Sequence, residues 1–273
     1  MKRIKYTFSL LTLLALSSQA EPLPKWEAGA GVAVINFPDY RGSDERESYI
    51  LPVPYFVYRG DFLKVDDQRV RGLFFKNNHA ELEVSINGSV PVQSKNNQAR
   101  QGMPDLDPTL EIGPSLNFFL YRSKDNQNKV DLRLPLRAVI ASDFSEVRSA
   151  GWIFQPNINI DYVLSNDWKL GMLAGPIFSN KRHHQYFYGV EEAYATPNRP
   201  TYNASGGYAG SQVIMALSKR YPSFWVGSFI KWDTLQGAVF EDSPLVKTKQ
   251  HFTGGFAISW IFGQSKELVE NKK

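Results

Sequence analysis

The sequence contains no cysteine and only four histidines among its 273 residues. The lack of cysteine excludes disulfide bonds and thiolate chemistry. Four histidines leave few candidates for an imidazole base or a zinc ligand. After residue 20 there is no uninterrupted apolar run near the ~20 residues that a transmembrane helix needs. We therefore expect no helical membrane span in the mature chain.

The first 20 residues have the pattern of a secretory signal peptide. Three basic residues precede a short apolar run from Phe8 to Leu16, and Ser18-Gln19-Ala20 fits a small-x-small cleavage site. We expect cleavage between Ala20 and Glu21.

Removal of this segment changes the charge balance. The segment holds three of the 31 Lys+Arg residues and none of the 27 Asp+Glu residues, which leaves 28 against 27. The mature chain is then nearly neutral, and its composition gives no support for a nucleic acid as partner.

Alternation of apolar and polar side chains predicts strands along the mature chain. The clearest case runs from Ala80 to Val92, where even positions are small or apolar and odd positions up to Ser89 are polar. Twelve such segments are found when Phe62 to Phe75 is divided into two short strands. Tight and long connectors then alternate, as in bacterial outer-membrane barrels.

We therefore predict an all-β fold, a transmembrane antiparallel up-and-down β-barrel of about 12 strands, with 10 as the alternative count. The barrel is expected over residues 21–262, followed by a polar C-terminal tail at 263–273. The connector pattern places the N- and C-termini in the periplasm. A soluble β-sandwich would show the same alternation, but its strands are usually nearer five or six residues long.

The strand from His251 to Phe262 is predicted to close the barrel. Its even positions are mostly aromatic or branched and its odd positions are small or polar, so one face suits lipid and the other the lumen. Part of it resembles the closing-strand signal read by the barrel-assembly machinery. The residues of this signal are Thr253, Gly255, Ile258, Trp260 and Phe262.

Several segments resemble the MipA/OmpV family of outer-membrane proteins. They are Pro38-Asp39-Tyr40-Arg41-Gly42-Ser43, Leu51-Pro52-Val53-Pro54-Tyr55, Tyr58-Arg59-Gly60-Asp61-Phe62, Gly113-Pro114-Ser115 and the closing strand with Trp260. The resemblance implies a non-enzymatic barrel without cofactors, in contact with outer-membrane lipid and lipopolysaccharide. It also implies a scaffold role that joins a lytic transglycosylase and a penicillin-binding protein. One departure is the tail after Phe262, where such barrels commonly end.

Charged side chains on the predicted lumenal face form the main candidate site. Ionisable groups at membrane depth generally face an interior. Both signs occur in near-equal number, which favours a packed ion-pair network, while a narrow small-solute channel remains the alternative. The set consists of Glu81, Glu83, Glu111, Asp131, Arg133, Arg137, Asp161, Lys231 and Asp233.

Three other functions remain open from the sequence. His183 and His184, with Glu191 and Glu192 nearby, could bind a metal, although their spacing matches no defined motif. The Tyr-rich loop Asn180 to Gly207 could be an adhesive surface or could pack over the barrel mouth. A lipid hydrolase would need a Ser–His pair, and no Gly-x-Ser-x-Gly elbow is present.

Overall fold

The structure is a computed structural model that describes residues 23–60, 62–65, 70–143 and 145–269. The predicted cleavage site between Ala20 and Glu21 lies outside the described residues, as does the end of the tail from residue 270.

The described chain forms fifteen strands and one α-helix. They are β1 (Leu23–Pro24), β2 (Trp26–Pro38), β3 (Arg46–Arg59), β4 (Leu63–Val65), β5 (Val70–Lys76), β6 (Ala80–Ser89), β7 (Thr109–Arg122), β8 (Lys129–Ser142), β9 (Val147–Phe154), β10 (Asn157–Val163), β11 (Lys169–Ser179), α1 (Lys181–Tyr188), β12 (Gly207–Arg220), β13 (Phe224–Thr234), β14 (Gln250–Gln264) and β15 (Leu268–Val269).

Strands β2 to β14 form one antiparallel sheet that closes on itself. Strands β9 and β10 occupy one position in the wall, because both pair with β8 on one side and with β11 on the other. The wall therefore has twelve positions, which confirms the predicted barrel of about 12 strands, including the division of Phe62 to Phe75 into two strands.

The interruption between β9 and β10 falls at Gln155–Pro156, within Trp152 to Leu164, where alternating apolar and polar side chains predict a single strand. Proline has no N–H to donate to a ladder, so it breaks the pairing locally. The chain remains in the wall on both sides of this break. The sequence prediction of one wall strand is right, but it misses both the break and the earlier start at Val147.

The alternation of side chains places the aromatic face of β14 outward. Phe256 is 52% exposed, whereas Ser259, on the opposite face, is 2% exposed. Trp260 and Phe262 of the predicted insertion signal are also exposed on the outer surface, while Thr253 and Gly255 face the lumen. This is the arrangement expected for a strand between lipid and a filled interior.

The two ends of the described part of the chain are joined at one rim of the barrel. Strand β14 pairs with β2 as far as Gln264, two residues beyond the predicted end of the barrel. Beyond it, β15 pairs with β1, and Lys25 Nζ lies 3.0 Å from Glu267 Oε1. The first part of the predicted tail is therefore attached to the barrel.

Helix α1 lies in the segment predicted as a loop from Asn180 to Gly207. Asn180 caps it, since its side-chain oxygen accepts from His183 N at 3.1 Å and also from Trp152 N at 3.2 Å. Gly151 packs against this cap with φ of 100°, and a Cβ there would lie 2.2 Å from Asn180 Oδ1. No helix within the described residues has the length and apolar content needed to cross a membrane.

The long connectors at the other rim fold into an apolar cap, which we define as residues 39–45, 90–108, 180–206 and 235–249. Its core packs against the ends of β8, β9, β11 and β12 at this rim, so the cap lies across the barrel mouth. Tyr188 of α1 stacks on Phe240 with ring centroids 3.7 Å apart. The fully buried members of this core include Leu235, Phe240 and Leu245.

Two buried arginines join the separate loops of the cap. Arg100 donates to the carbonyl oxygens of Pro104 and Phe187, at 3.1 and 3.2 Å. Arg199 donates to the carbonyl oxygens of Ala99 and Gln101, both at 3.0 Å. Because hydrogen bonds to a charged donor are stronger than neutral ones, these contacts fix the loops to one another.

Replacing Phe240 with alanine should loosen the cap while leaving the barrel closed. The buried ring is lost without replacement, and such a change typically costs about 3–5 kcal/mol. Limited proteolysis of the folded protein in detergent should show faster cleavage within residues 180–206 and 235–249. Phe256→Ala on the outer face is the matched control and should leave the cleavage rate unchanged. Equal rates in Phe240→Ala and the wild type would contradict the packing of the cap.

Candidate functional site: the closed lumen

The lumen has two walls of different chemistry. Inward side chains of β6 to β10 are mainly charged or amide groups, whereas those of β11 to β14 and β2 are mainly small or apolar. This division follows from the ladder register, because directly paired residues share a face. Most of the predicted lumenal charges lie on the first wall, which we call the polar wall.

Arg137 and Arg133 organise the polar wall. Arg137 Nε lies 2.9 Å from Glu111 Oε2, and its guanidinium also donates to Ser85 Oγ at 3.1 Å. The Arg133 guanidinium lies 3.7 Å from a carboxylate oxygen of Asp131 and 3.7 Å from one of Asp161. The structure thus places five of the predicted residues in a charged network on this wall, as two groups of ion pairs with Asp161 partly exposed.

Glu81 and Glu83 extend the polar wall toward β5. Both side chains are buried, and Glu81 Oε1 accepts from Asn117 Nδ2 at 3.4 Å. They face the lumen beside β7, as the alternation of β6 predicts.

Lys231 and Asp233 lie apart from this network, directly beneath the cap. Asp233 is fully buried, and three basic side chains lie close to its carboxylate. Lys231 Nζ is 2.9 Å away, Arg41 Nε 3.0 Å and His251 Nε2 3.5 Å. Arg41 also donates to the carbonyl of Ala209 at 2.9 Å, so the cluster ties the first loop of the cap to the wall.

A third charged cluster, near the joined ends of the chain, was missed by the sequence analysis. Glu27 is fully buried, and its two oxygens lie 2.6 Å from Arg59 Nη2 and 2.6 Å from Arg220 Nη2. The position of Glu27 on the polar face of the first strand was the available signal. Its partners are 32 and 193 residues away, so no local pattern indicated the pairing.

A cavity of about 370 Å³ lies along the other wall, which we call the apolar wall. It exists because many inward positions there are occupied by glycine or alanine, such as Gly171, Gly227 and Ala216. The Trp225 ring lies over Gly227, where a Cβ would meet it at 2.1 Å. Arg133 and Asn159 reach the cavity from the polar wall.

The two adjacent histidines lie in α1, and His184 is fully buried. His184 Nδ1 lies 2.6 Å from the carbonyl oxygen of Ser205, and the rings of His183 and His184 are 6.0 Å apart. Within the described ranges, no group of three or more His, Asp or Glu side chains is placed to hold a metal ion. The Asn180 to Gly207 segment packs over the mouth, which was one of its two predicted roles.

Burial in the cap changes the protonation of His183. Burial first, then the neighbouring His184 and Arg41, lower the pKa of His183 from 6.5 to about 3. Burial likewise lowers the pKa of His184, although its contact with the Ser205 carbonyl opposes this shift. Both rings are therefore neutral in the closed cap at pH 7.

Acid should weaken the closed cap through His183. When the cap is open, His183 binds a proton below pH about 6.5, whereas in the closed cap it does so only near pH 3. The contribution of neutral His183 to the stability of the closed cap is therefore complete above pH 6.5 and is lost as the pH falls toward 3. Hydrogen exchange of cap amides should show an opening constant that rises by up to about tenfold per pH unit for one histidine. His183→Phe should reduce this slope, whereas His79→Ala at an exposed turn should not. Equal slopes in the wild type and His183→Phe would contradict the assignment.

Glu27→Ala should destabilise the whole barrel. The change leaves two arginines facing each other without their carboxylate, and breaking a buried pair costs about 3–5 kcal/mol. Urea unfolding followed by gel mobility should reveal this loss. Lys25→Ala, which breaks the exposed pair with Glu267, is the control and should cost less than about 1 kcal/mol. Similar losses in the two variants would show that burial of Glu27 does not matter.

Solved membrane-protein structures show distant similarity to the chain. A NanC porin structure is 9% identical, covers 85% of this chain and 98% of its own, and has a TM-score of 0.40. The toluene transporter TodX of Pseudomonas putida is 10% identical, covers 88% of this chain and 68% of its own, and has a TM-score of 0.28. No curated protein matches the chain significantly.

A protein-family model matches most of the sequence. The model described as MltA-interacting protein MipA matches residues 30–262, nearly the whole barrel from β2 to β14. This agrees with the predicted resemblance. The chain belongs to the MipA family and is an outer-membrane β-barrel protein.

Proposed function

We propose that this protein is a closed, non-catalytic barrel that serves as an interaction protein for murein enzymes on the periplasmic side of the outer membrane. The observation that carries the proposal is the cap over one mouth of the lumen, together with a buried charged cluster near the other rim. The cap packs across one mouth, and the Glu27 cluster lies inside the other. A lumen filled in this way does not suit an aqueous channel across the membrane.

The charged network supports the same conclusion against the channel alternative. An ion-selective pore needs an excess of one sign with side chains free to meet the solute. Here Arg137 and Arg133 are paired with carboxylates on the same wall, and Asp233 is surrounded by basic groups. The charges therefore stabilise the interior of the barrel.

The contact surface for a partner is proposed at the rim that carries the chain ends. With both termini in the periplasm, the tight turns and the β1–β15 pair face the enzymes of the murein layer. Lys25 and Glu267, directly next to this pair, add an ion pair that is open to a partner. The family description, MltA-interacting protein, names a partner of other members and supports this class of partner for this chain.

Truncation after Ser265 tests this surface. It removes β15 but leaves the β14–β2 pairing intact, so the barrel should still fold and shift its gel mobility normally. Binding to a purified murein lytic transglycosylase from the same cell, measured by surface plasmon resonance, should fall by about tenfold or more. The control is the double change Glu241→Ala and Lys249→Ala, which breaks an exposed pair at the opposite rim.

Two results would overturn the proposal. Unchanged binding by the truncated protein would show that the tail is not part of the contact surface. No binding by the wild type would show that lytic transglycosylases are not its partners. Stable single-channel steps from the wild-type barrel in a planar bilayer would contradict the closed lumen and restore the channel alternative.

A further inference from the structure

The cavity on the apolar wall is larger than the voids that a packed interior normally leaves. Its volume is about 370 Å³, whereas voids much larger than a water molecule are few in protein interiors. It arises because small residues face inward on five strands. They are Ala33, Gly171, Ala216, Gly227, Gly255 and Ala257. An apolar space of this kind offers water few hydrogen-bond partners and suits an apolar ligand.

The lining of this cavity changes along the barrel axis. The part nearer the cap is lined by apolar side chains, which are Ile35, Leu173, Ile214 and Phe229. Toward the rim that carries the chain ends, β11 and β12 line the cavity with Gly171 and Ser218. On these two strands, the next inward residues toward this rim are Lys169 and Arg220. Basic side chains therefore begin where the apolar lining ends.

Lys169 and Arg220 lie directly beside residues of the lining. Lys169 is opposite Ser218 in the β11–β12 ladder, and Arg220 is opposite Trp225 in the β12–β13 ladder. Both of these opposite residues line the cavity. Because directly opposite residues share a face, the two basic side chains stand at the end of the cavity. Lys169 is exposed and Arg220 is half-buried, so they lie between the cavity and the solvent at this rim.

Positive charge is in excess in the half of the lumen nearer this rim. From β8 to β12, four basic and two acidic side chains face inward there. They are Lys129, Arg133, Lys169, Arg220, Asp131 and Asp161. Glu27 and Arg59 of the neighbouring strands add one charge of each sign. Electrostatic complementarity therefore favours a negatively charged group at this end of the cavity.

We propose that the cavity binds a fatty-acid-like amphiphile, with one apolar chain and one carboxylate. The chain lies toward the cap among Leu173, Ile214 and Phe229, and the carboxylate accepts hydrogen bonds from Lys169 and Arg220. Hydrogen bonds between charged groups are roughly twice as strong as neutral ones. The cavity volume of about 370 Å³ is within the range of about 300–1,000 Å³ found for small-molecule sites.

The ligand enters and leaves at the rim that carries the chain ends, because the cap covers the other mouth. A cavity that is entered from one rim needs no passage through the barrel. The inference does not depend on the proposed scaffold function, since the binding of a murein enzyme requires neither the cavity nor Lys169.

Decanoate and decanol are suitable probes, because they have the same chain and only decanoate is charged at neutral pH. Fluorine NMR of decanoate labelled with fluorine at the chain end should show a saturable bound signal with the folded protein in amphipol. Unlabelled decanoate should displace this signal at a concentration at least about tenfold lower than decanol. Equal displacement by both would overturn the anionic end of the site. Absence of a saturable signal would overturn the site itself.

Lys169→Met tests the contact with the carboxylate. Affinity for decanoate should fall by about tenfold while affinity for decanol stays the same, and Lys169→Arg should keep decanoate binding because it keeps the charge. Lys219→Met is the matched control, since Lys219 is near the same rim but on the outer face. Unchanged decanoate binding in Lys169→Met, or an equal loss in Lys219→Met, would overturn this contact.

Ala216→Phe should block the cavity. The added ring points into it, so binding of both decanoate and decanol should weaken by about tenfold or more. Ala174→Phe on the neighbouring strand points outward to lipid and is the matched control, with no expected effect. Ala257→Leu is a second filling variant if Ala216→Phe does not fold by gel mobility. Undiminished binding in a folded filling variant would overturn the proposed site.

Discussion

The closed hydrogen-bond ladder is the interaction on which the rest of this structure depends. In hydrocarbon, backbone N–H and C=O groups have no water to bond, so each strand must form hydrogen bonds with the strands on both sides. The ladder closes through β14 and β2, and through the shared position of β9 and β10. Once the wall is closed, alternation sends the aromatic side chains to lipid and the charges inward.

Alternation and turn chemistry made the fold predictable from sequence. They predicted the strand count, the division of Phe62 to Phe75 and the outward face of β14. They did not predict α1, which has only eight residues and lies inside a long connector; Asn180 as an N-cap was a local signal for it. Nor did alternation reveal the break at Pro156, since both halves keep the same inward face.

The candidate site was predictable only in part, because pairing depends on register. The inward position of Glu81, Glu111 or Arg137 follows from local alternation. Their partners lie on other strands and require the ladder to be known. The same limit hid the Glu27 cluster and the apolar wall, which gathers small residues from five strands. An amphipathic lumen is a property of the closed sheet that no single strand displays.

The joined chain ends impose an order on biogenesis. Strand β14 must find β2 across more than two hundred residues of chain, a contact of very high sequence separation. Until Gln264 has been exported, β2 has only one neighbour and its other edge can pair with a foreign strand. Newly exported chain must therefore be held until its last strand arrives. The pairing of β1 with β15 extends this seam past Gln264, so it belongs to the last part of the barrel to form.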